Sequence, residues 1–121
     1  MLTVTAPTNV EQKRRHFRLR YPQRARPVIR LQGQGYYVSE LSERGIRVEM
    51  RYPESYLFGS PIAGHVALKG AEVIKVEGHV LRSDHNQLVV ELVTGPSFKQ
   101  MMQQQGYVRK HYPLFFSNGI E

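Results

Sequence analysis

The sequence predicts a mainly β fold, a six-stranded antiparallel β-barrel with one C-terminal α-helix, and three observations predict it. Six short runs of strand-forming residues follow one another from Pro27 onward, polar or glycine-bearing turns separate them, and the hydrophobic rhythm becomes helical after Pro96. The chain has 121 residues, 40% of them hydrophobic and 22% charged, which is the size and balance of one globular domain. Six short strands leave edges that must be covered, and closing the sheet on itself covers them.

Residues 1–10 read as a flexible N-terminus, although Thr8-Asn9-Val10-Glu11 has the spacing of a capping box and predicts a helical turn running from Asn9 into the arginines. The strands are expected at Pro27 to Gln32, Tyr36 to Leu41, Gly45 to Arg51, Pro61 to Leu68, Val73 to Arg82 and Gln87 to Val93. In the third, Ile46, Val48 and Met50 alternate with Arg47, Glu49 and Arg51, so apolar and charged side chains fall on opposite faces. The fifth does the same with Ile74, Val76 and Val80 inward and Lys75, Glu77 and His79 outward; Gly78 inside it predicts a bulge or bend. Short turns at Gln32-Gly33-Gln34-Gly35, Glu43-Arg44-Gly45, Lys69-Gly70-Ala71 and Asp84-His85-Asn86 predict an antiparallel meander. Phe98, Met101, Gln105, Val108 and Tyr112, with Met102 beside them, form a helical stripe expected to cover an open barrel end, weakened at Gly106 and stopped by Pro113. Residues 11–110 are thus the expected domain and 111–121 a tail.

Composition excludes several classes of chemistry. Without cysteine there is no disulfide framework, thiol nucleophile or thiolate metal site. The acids are nine Glu and one Asp, a thin supply for paired-carboxylate catalysis, and no phosphate-loop, HExxH or GxSxG signature occurs. His16, His65, His79, His85 and His111 lack compact ligand spacing, and even His79 with Asp84 and His85 predicts no metal. The chain is expected to be no enzyme and to need no cofactor. No apolar run approaches the roughly 18 residues of a membrane span, nor does the N-terminus resemble a secretory signal, so the expected location is the cytoplasm.

The net charge of +7 is concentrated near the N-terminus. Lys13, Arg14, Arg15, Arg18, Arg20, Arg24, Arg26 and Arg30 are eight cations with no acid between them. Arginine's planar fork of donors matches phosphate oxygens and the guanine edge better than lysine's point charge does. Such an arm suits a phosphorylated or nucleobase ligand, and equally a solvated basic arm that touches nucleic acid loosely.

Two segments decide between these. Arg14-Arg15-His16-Phe17-Arg18 has RxxxR spacing, and 22 residues later Glu40-Leu41-Ser42-Glu43-Arg44-Gly45 opens the clearest strand. In order and separation they resemble the PilZ domain, a bacterial family of cyclic di-GMP receptors whose pattern is RxxxR followed by [D/N]xSxxG. The resemblance covers roughly residues 11–110 and implies the PilZ-type split barrel with its trailing helix. It also implies that Arg14, Arg15, Arg18, Glu40, Ser42 and Gly45 bind the dinucleotide, Arg14 and Arg18 taking phosphate or guanine edges and Arg15 adding stacking or charge. Ser42 would supply a hydroxyl for phosphate or for its own turn, and Gly45 would allow a positive φ or a close approach. Glu40 departs from the family's Asp or Asn by one methylene, which keeps a carboxylate acceptor but displaces it. The chain is therefore expected to be a stand-alone receptor that couples cyclic di-GMP to a partner protein. The alternatives are a ligand-independent adaptor, and a nucleic-acid-binding barrel with Tyr36, Tyr37 or Tyr56 as stacking platforms; nucleic acid is the less expected partner.

Overall fold

The computed structural model describes residues 16–117. All six expected strands are present within about two residues of their expected ends, and a seventh precedes them. β1 is Leu19–Arg20, β2 Val28–Leu31, β3 Gln34–Leu41, β4 Gly45–Glu49, β5 Pro61–Ala67, β6 Val73–Asp84 and β7 Gln87–Thr94; α1 (Phe98–His111) and α2 (Pro113–Ser117) follow. Short 3-10 turns at Gln23–Ala25 and Pro53–Ser55 fill two of the connections. The expected turn from Asn9 lies outside the described residues.

The strands do not form one continuous meander. β2–β3–β4 and β5–β6–β7 are two three-stranded antiparallel units, and the barrel closes because β2 pairs with β5 and β4 with β7. Inward-facing Ile29, Leu31, Val38, Leu41, Ile46, Val48, Ile62, Val66, Val76, Val80, Leu88, Val90 and Leu92 fill the interior. The β2–β3 hairpin turns through Gln32 (φ 51°) and Gly33 (φ 84°), the pair of positive φ angles that matches the twist of antiparallel strands. Where β2 leaves β3, the two residues of β1 take over that edge, pairing Leu19 with Leu41 and Arg20 with Glu40.

Three irregularities interrupt the ladders. Ser39 is an extra residue in β3, since Val38 pairs with Val48 but Glu40 with Arg47. Leu81 is an extra residue in β6, between the Val80–Val90 and Arg82–Val89 pairs. The one expected at Gly78 occurs beside it, with the unpaired residue, Val93, on the partner strand. A Cβ on Gly78 would stand 1.9 Å from the Glu91 carbonyl oxygen, so the two backbones approach there more closely than any side chain permits.

α1 covers one barrel end, but its expected stripe divides. Met101 and Val108 are buried with Gln104, whereas Phe98 is 64% exposed and Gln105 half-buried. Gln104 is fully buried because polar groups surround it: Tyr21 Oη donates to Oε1 (2.7 Å), Lys69 N donates to the same oxygen (3.0 Å), and Nε2 donates to Lys69 O (2.8 Å). Burial in this joint pushes the Tyr21 phenol well above its ordinary pKa. Ser97 caps the helix reciprocally with Gln100. Gly106 does not interrupt it. Pro113 does end α1 but then begins α2, since proline is tolerated where an N–H would lack a partner anyway. Tyr112 and Phe115 pack against the core, so the segment expected as a tail is partly docked. No helix among the described residues is long and apolar enough to cross a membrane.

Two stability outcomes follow. Gly78→Ala forces β6 and β7 apart and should cost about 1–3 kcal/mol, the usual penalty of overpacking, read as a lower denaturant midpoint. Tyr21→Phe removes one neutral bond to Gln104 and should cost about 1 kcal/mol, whereas Gln104→Leu strands Tyr21 Oη and both Lys69 backbone groups and should cost more. Equal losses for these two would show that Gln104 acts by volume alone.

Candidate functional site

Residues directly opposite on paired strands share a face of the sheet. One outward row therefore crosses five strands: Arg20 pairs with Glu40, Glu40 with Arg47, Arg47 with Val89, and Val89 with Arg82. Without the extra residue at Ser39, Arg47 would face Ser39, and without the one at Leu81, Val89 would face Leu81. The two bulges thus put Glu40 beside Arg47 and Arg82 beside Val89 on the outer surface. The phase change also turns Leu41 into the core, where it is fully buried.

Above this row lies a concavity of about 410 Å³ lined by His16, Arg18, Glu40, Ser42, Arg44, Gly45, Ile46, Arg47, Leu81, Arg82, Val89, Val90 and Glu91. Its charged walls hold four arginines against Glu40 and Glu91, and Val89, 9% exposed, gives an apolar floor. Every site residue expected from the sequence that falls within the described residues lines this one surface: Arg18, Glu40, Ser42 and Gly45. Arg14 and Arg15 lie outside the described residues.

Glu40 stands between two cations, with Arg18 Nη1 3.6 Å from Oε2 and Arg47 Nε 3.5 Å from Oε1. Arg47 is held from behind, donating to Asp84 Oδ2 (2.9 Å) and Gln87 Oε1 (3.1 Å), and Gln87 Nε2 donates to Ser39 Oγ at the bulge (2.8 Å). The bond from Arg47, then that from His85, holds the Asp84 carboxyl below its ordinary pKa. Arg18 is half-exposed, and Arg82 has no ion-pair partner among the described residues. His16 Nδ1 lies 2.7 Å from Glu43 Oε1, at the mouth of the turn that leads into β4.

That turn explains Ser42 and corrects one reason given for Gly45. Ser42 N donates to Gly45 O (2.9 Å), and Arg44 N donates to Ser42 Oγ (3.3 Å), so the hydroxyl serves its own turn while facing the concavity. Gly45 does not adopt a positive φ. A Cβ there would rest 3.4 Å from Ser42 Oγ, an ordinary contact, so the fold itself does not exclude a side chain. What the glycine leaves is open space within the concavity.

The rest of the basic run disperses. Arg26 pairs with Glu49, Arg30 donates to Gly33 O, and Arg24 is exposed on the first 3-10 turn. Sequence reasoning missed Arg44, Arg47, Arg82, Val89 and Glu91 as site residues. Arg47 was legible as outward, but Val89 and Arg82 reach it through the β4–β7 pairing and a bulge, which no local pattern signals. Tyr36 and Tyr56 pack against the core, leaving Tyr37 exposed among the three tyrosines considered as stacking platforms. His79 bonds Glu91 and His85 bonds Asp84, and no group of three or more His, Asp or Glu among the described residues is placed to hold a metal ion.

Comparison with known proteins agrees with this geometry. The fold is similar to that of the Bacillus subtilis inhibitor of motility (MotI/DgrA), with a TM-score of 0.55 and 17% sequence identity, over 82% of this chain and 51% of that one. This chain therefore spans about half the length of that structure, and at this identity the likeness is one of fold. No curated protein matches the sequence. The family model of the PilZ domain matches residues 12–110, from the basic arm through the barrel and nearly to the end of α1, and the chain belongs to the PilZ domain family.

Proposed function

We propose that this chain is a cyclic di-GMP receptor that couples occupancy of its outer concavity to a partner protein and performs no chemistry on the nucleotide. PilZ domains are binding domains, which fits the absence of a catalytic signature in the sequence. The observation that carries the reading is the convergence of Arg18 with Glu40, Ser42 and Gly45, two sequence motifs 22 residues apart, on one cationic surface with an apolar floor. Cyclic di-GMP carries two phosphates and two guanines. Arg18 and Arg82 suit phosphate oxygens or the O6/N7 edge, Glu40 suits the guanine N1–H and N2–H donors, Val89 offers a surface for a base, and Gly45 leaves room for it.

One observation favours the rival reading of a ligand-independent adaptor: Glu40 already pairs with both Arg18 and Arg47. Magnitudes favour the ligand. A half-exposed pair such as Arg18–Glu40 contributes only about 0–1 kcal/mol, so parting it opposes capture of Arg18 by phosphate weakly. Arg18 adjoins β1, and Tyr21 on the other side of β1 bonds Gln104 of α1. Capture of Arg18 by ligand therefore pulls on a segment already tied to the helix, which supplies a route from concavity to α1.

Calorimetric titration of the full chain with cyclic di-GMP tests the site. Arg14→Ala and Arg18→Ala should each weaken binding roughly ten- to a hundred-fold, and Arg24→Ala should change it little. Equal small effects of all three would mean diffuse charge rather than a built site. Glu40→Asp should bind at least as tightly as the parent and Glu40→Ala less tightly; a tenfold loss on Glu40→Asp would instead show a site shaped around the longer side chain. Affinity should fall only gently with salt, because a dinucleotide lacks the condensed counterions that a polynucleotide releases. A single-stranded oligonucleotide that binds more tightly than cyclic di-GMP, with steep salt dependence, would overturn the proposal.

A further inference from the structure

The outward face of α1 takes no part in the barrel or the concavity. At about 100° per residue, Phe98, Met102 and Gly106 fall in one stripe, with Arg109 at its C-terminal end, away from the buried Met101, Gln104 and Val108. Phe98 and Met102 expose 64% and 36% of their surface. A side chain at Gly106 would meet nothing within 4 Å, and its φ is not positive, so neither packing nor backbone geometry within the described residues calls for glycine there. Glycine inside a helix is nonetheless destabilising relative to alanine. α1 carries Lys99, Arg109, Lys110 and His111 and no acidic residue; Lys99 and Lys110, with Gln103, run along one side of the stripe. Glu72 reaches the first turn, accepting from Gln100 and lying within electrostatic range of Lys99, while Arg109 and Lys110 place two cations in the last turn.

We infer that the Phe98–Met102–Gly106 stripe is the docking surface for an acidic amphipathic helix of a partner protein, whose backbone approaches over Gly106 while its carboxylates face Lys99 and Lys110. Apolar anchors beside a helix glycine permit close helix–helix contact, and the uniformly positive sign of the charged residues on and beside the stripe selects the sign of the partner. A second copy of this chain fits poorly, because the same face would set lysines against lysines in a chain of net charge +7. A membrane fits poorly too: two apolar side chains are a small insertion face, and a glycine offers nothing to lipid. The inference rests on the proposed coupling to a partner protein, not on recognition of the dinucleotide.

The test uses the full chain and a synthetic helical peptide with Leu and Ala on one face and Glu along its flanks, followed by amide chemical shifts with and without cyclic di-GMP. The peptide should shift residues 98–110, and a Lys-for-Glu version should not bind. Gly106→Leu and the double change Lys99→Glu with Lys110→Glu should each weaken peptide binding at least tenfold. Gly106→Ala should raise the melting temperature yet also weaken the peptide, an opposition that a purely structural helix does not predict. Peptide shifts mapping elsewhere, equal binding of the Lys peptide, binding of anionic phosphatidylglycerol vesicles in place of the peptide, or self-association through this face would each overturn the inference. Cyclic di-GMP affinity measured on the same variants separates the two proposals. A helix face that binds peptide in a protein blind to the dinucleotide leaves the surface standing and the receptor reading fallen, and the converse result does the opposite.

Discussion

Strict alternation of side chains along a strand is the constraint on which this structure turns, and the chain breaks it at Ser39 and Leu81. Each break is one residue long, and each re-aims a charged side chain from a position that would point inward or miss its neighbours. Glu40 would otherwise share the inward phase of Val38, leaving a carboxylate in an aliphatic interior. Burying a charge without a partner costs far more than any ladder bond lost at a bulge. The interior stays apolar and the outer row gains a carboxylate between two guanidinium groups. Ser39 is itself satisfied, its carbonyl accepting from Tyr21 N (3.0 Å) and its hydroxyl from Gln87. The bulge that shapes the concavity is therefore bonded to the strand that carries its floor.

Most of the barrel was legible because its signals are local. Alternation in Gly45–Glu49 and Val73–Val80, and turn residues such as Gln32-Gly33, act over a few residues and survive folding unchanged. The two motif segments were legible for another reason, since residue types and spacing stand out against a thin acid inventory. What stayed hidden depends on residues distant in sequence. Pairing of β4 with β7 brings Val89 beside Arg47; the phase shift at Leu81 brings Arg82 beside Val89. β1 is too short to carry a pattern. The helix misled in an instructive way, because Gln104 is buried in preference to Phe98: three hydrogen bonds to Tyr21 and Lys69 make an amide acceptable where hydropathy alone would place the aromatic ring.

The Tyr21–Gln104–Lys69 joint gives α1 two relationships at once. Through Lys69 it is fixed to the turn between β5 and β6, and through Tyr21 to the segment that leads back past β1 to Arg18. A helix attached by apolar packing alone could slide or roll at little cost. Directional bonds to a buried amide define its rotation about its own axis, and that rotation decides which residues face outward. The Phe98–Met102–Gly106 stripe is exposed because Gln104 is bonded inward.

The two closures of the barrel are unequal. Five residue pairs join β4 to β7, and three join β2 to β5. Local opening draws first on the less extensive ladder, so thermal excursions are expected to part β2 from β5 while β4 and β7 remain zipped. The Arg47–Val89 pair, one wall residue and the apolar floor of the concavity, spans the longer closure. A barrel that breathes in this way would gape on the far side and keep its charged outer row intact. Its amide exchange would be uneven around the ring, slowest where the charged row crosses from β4 to β7.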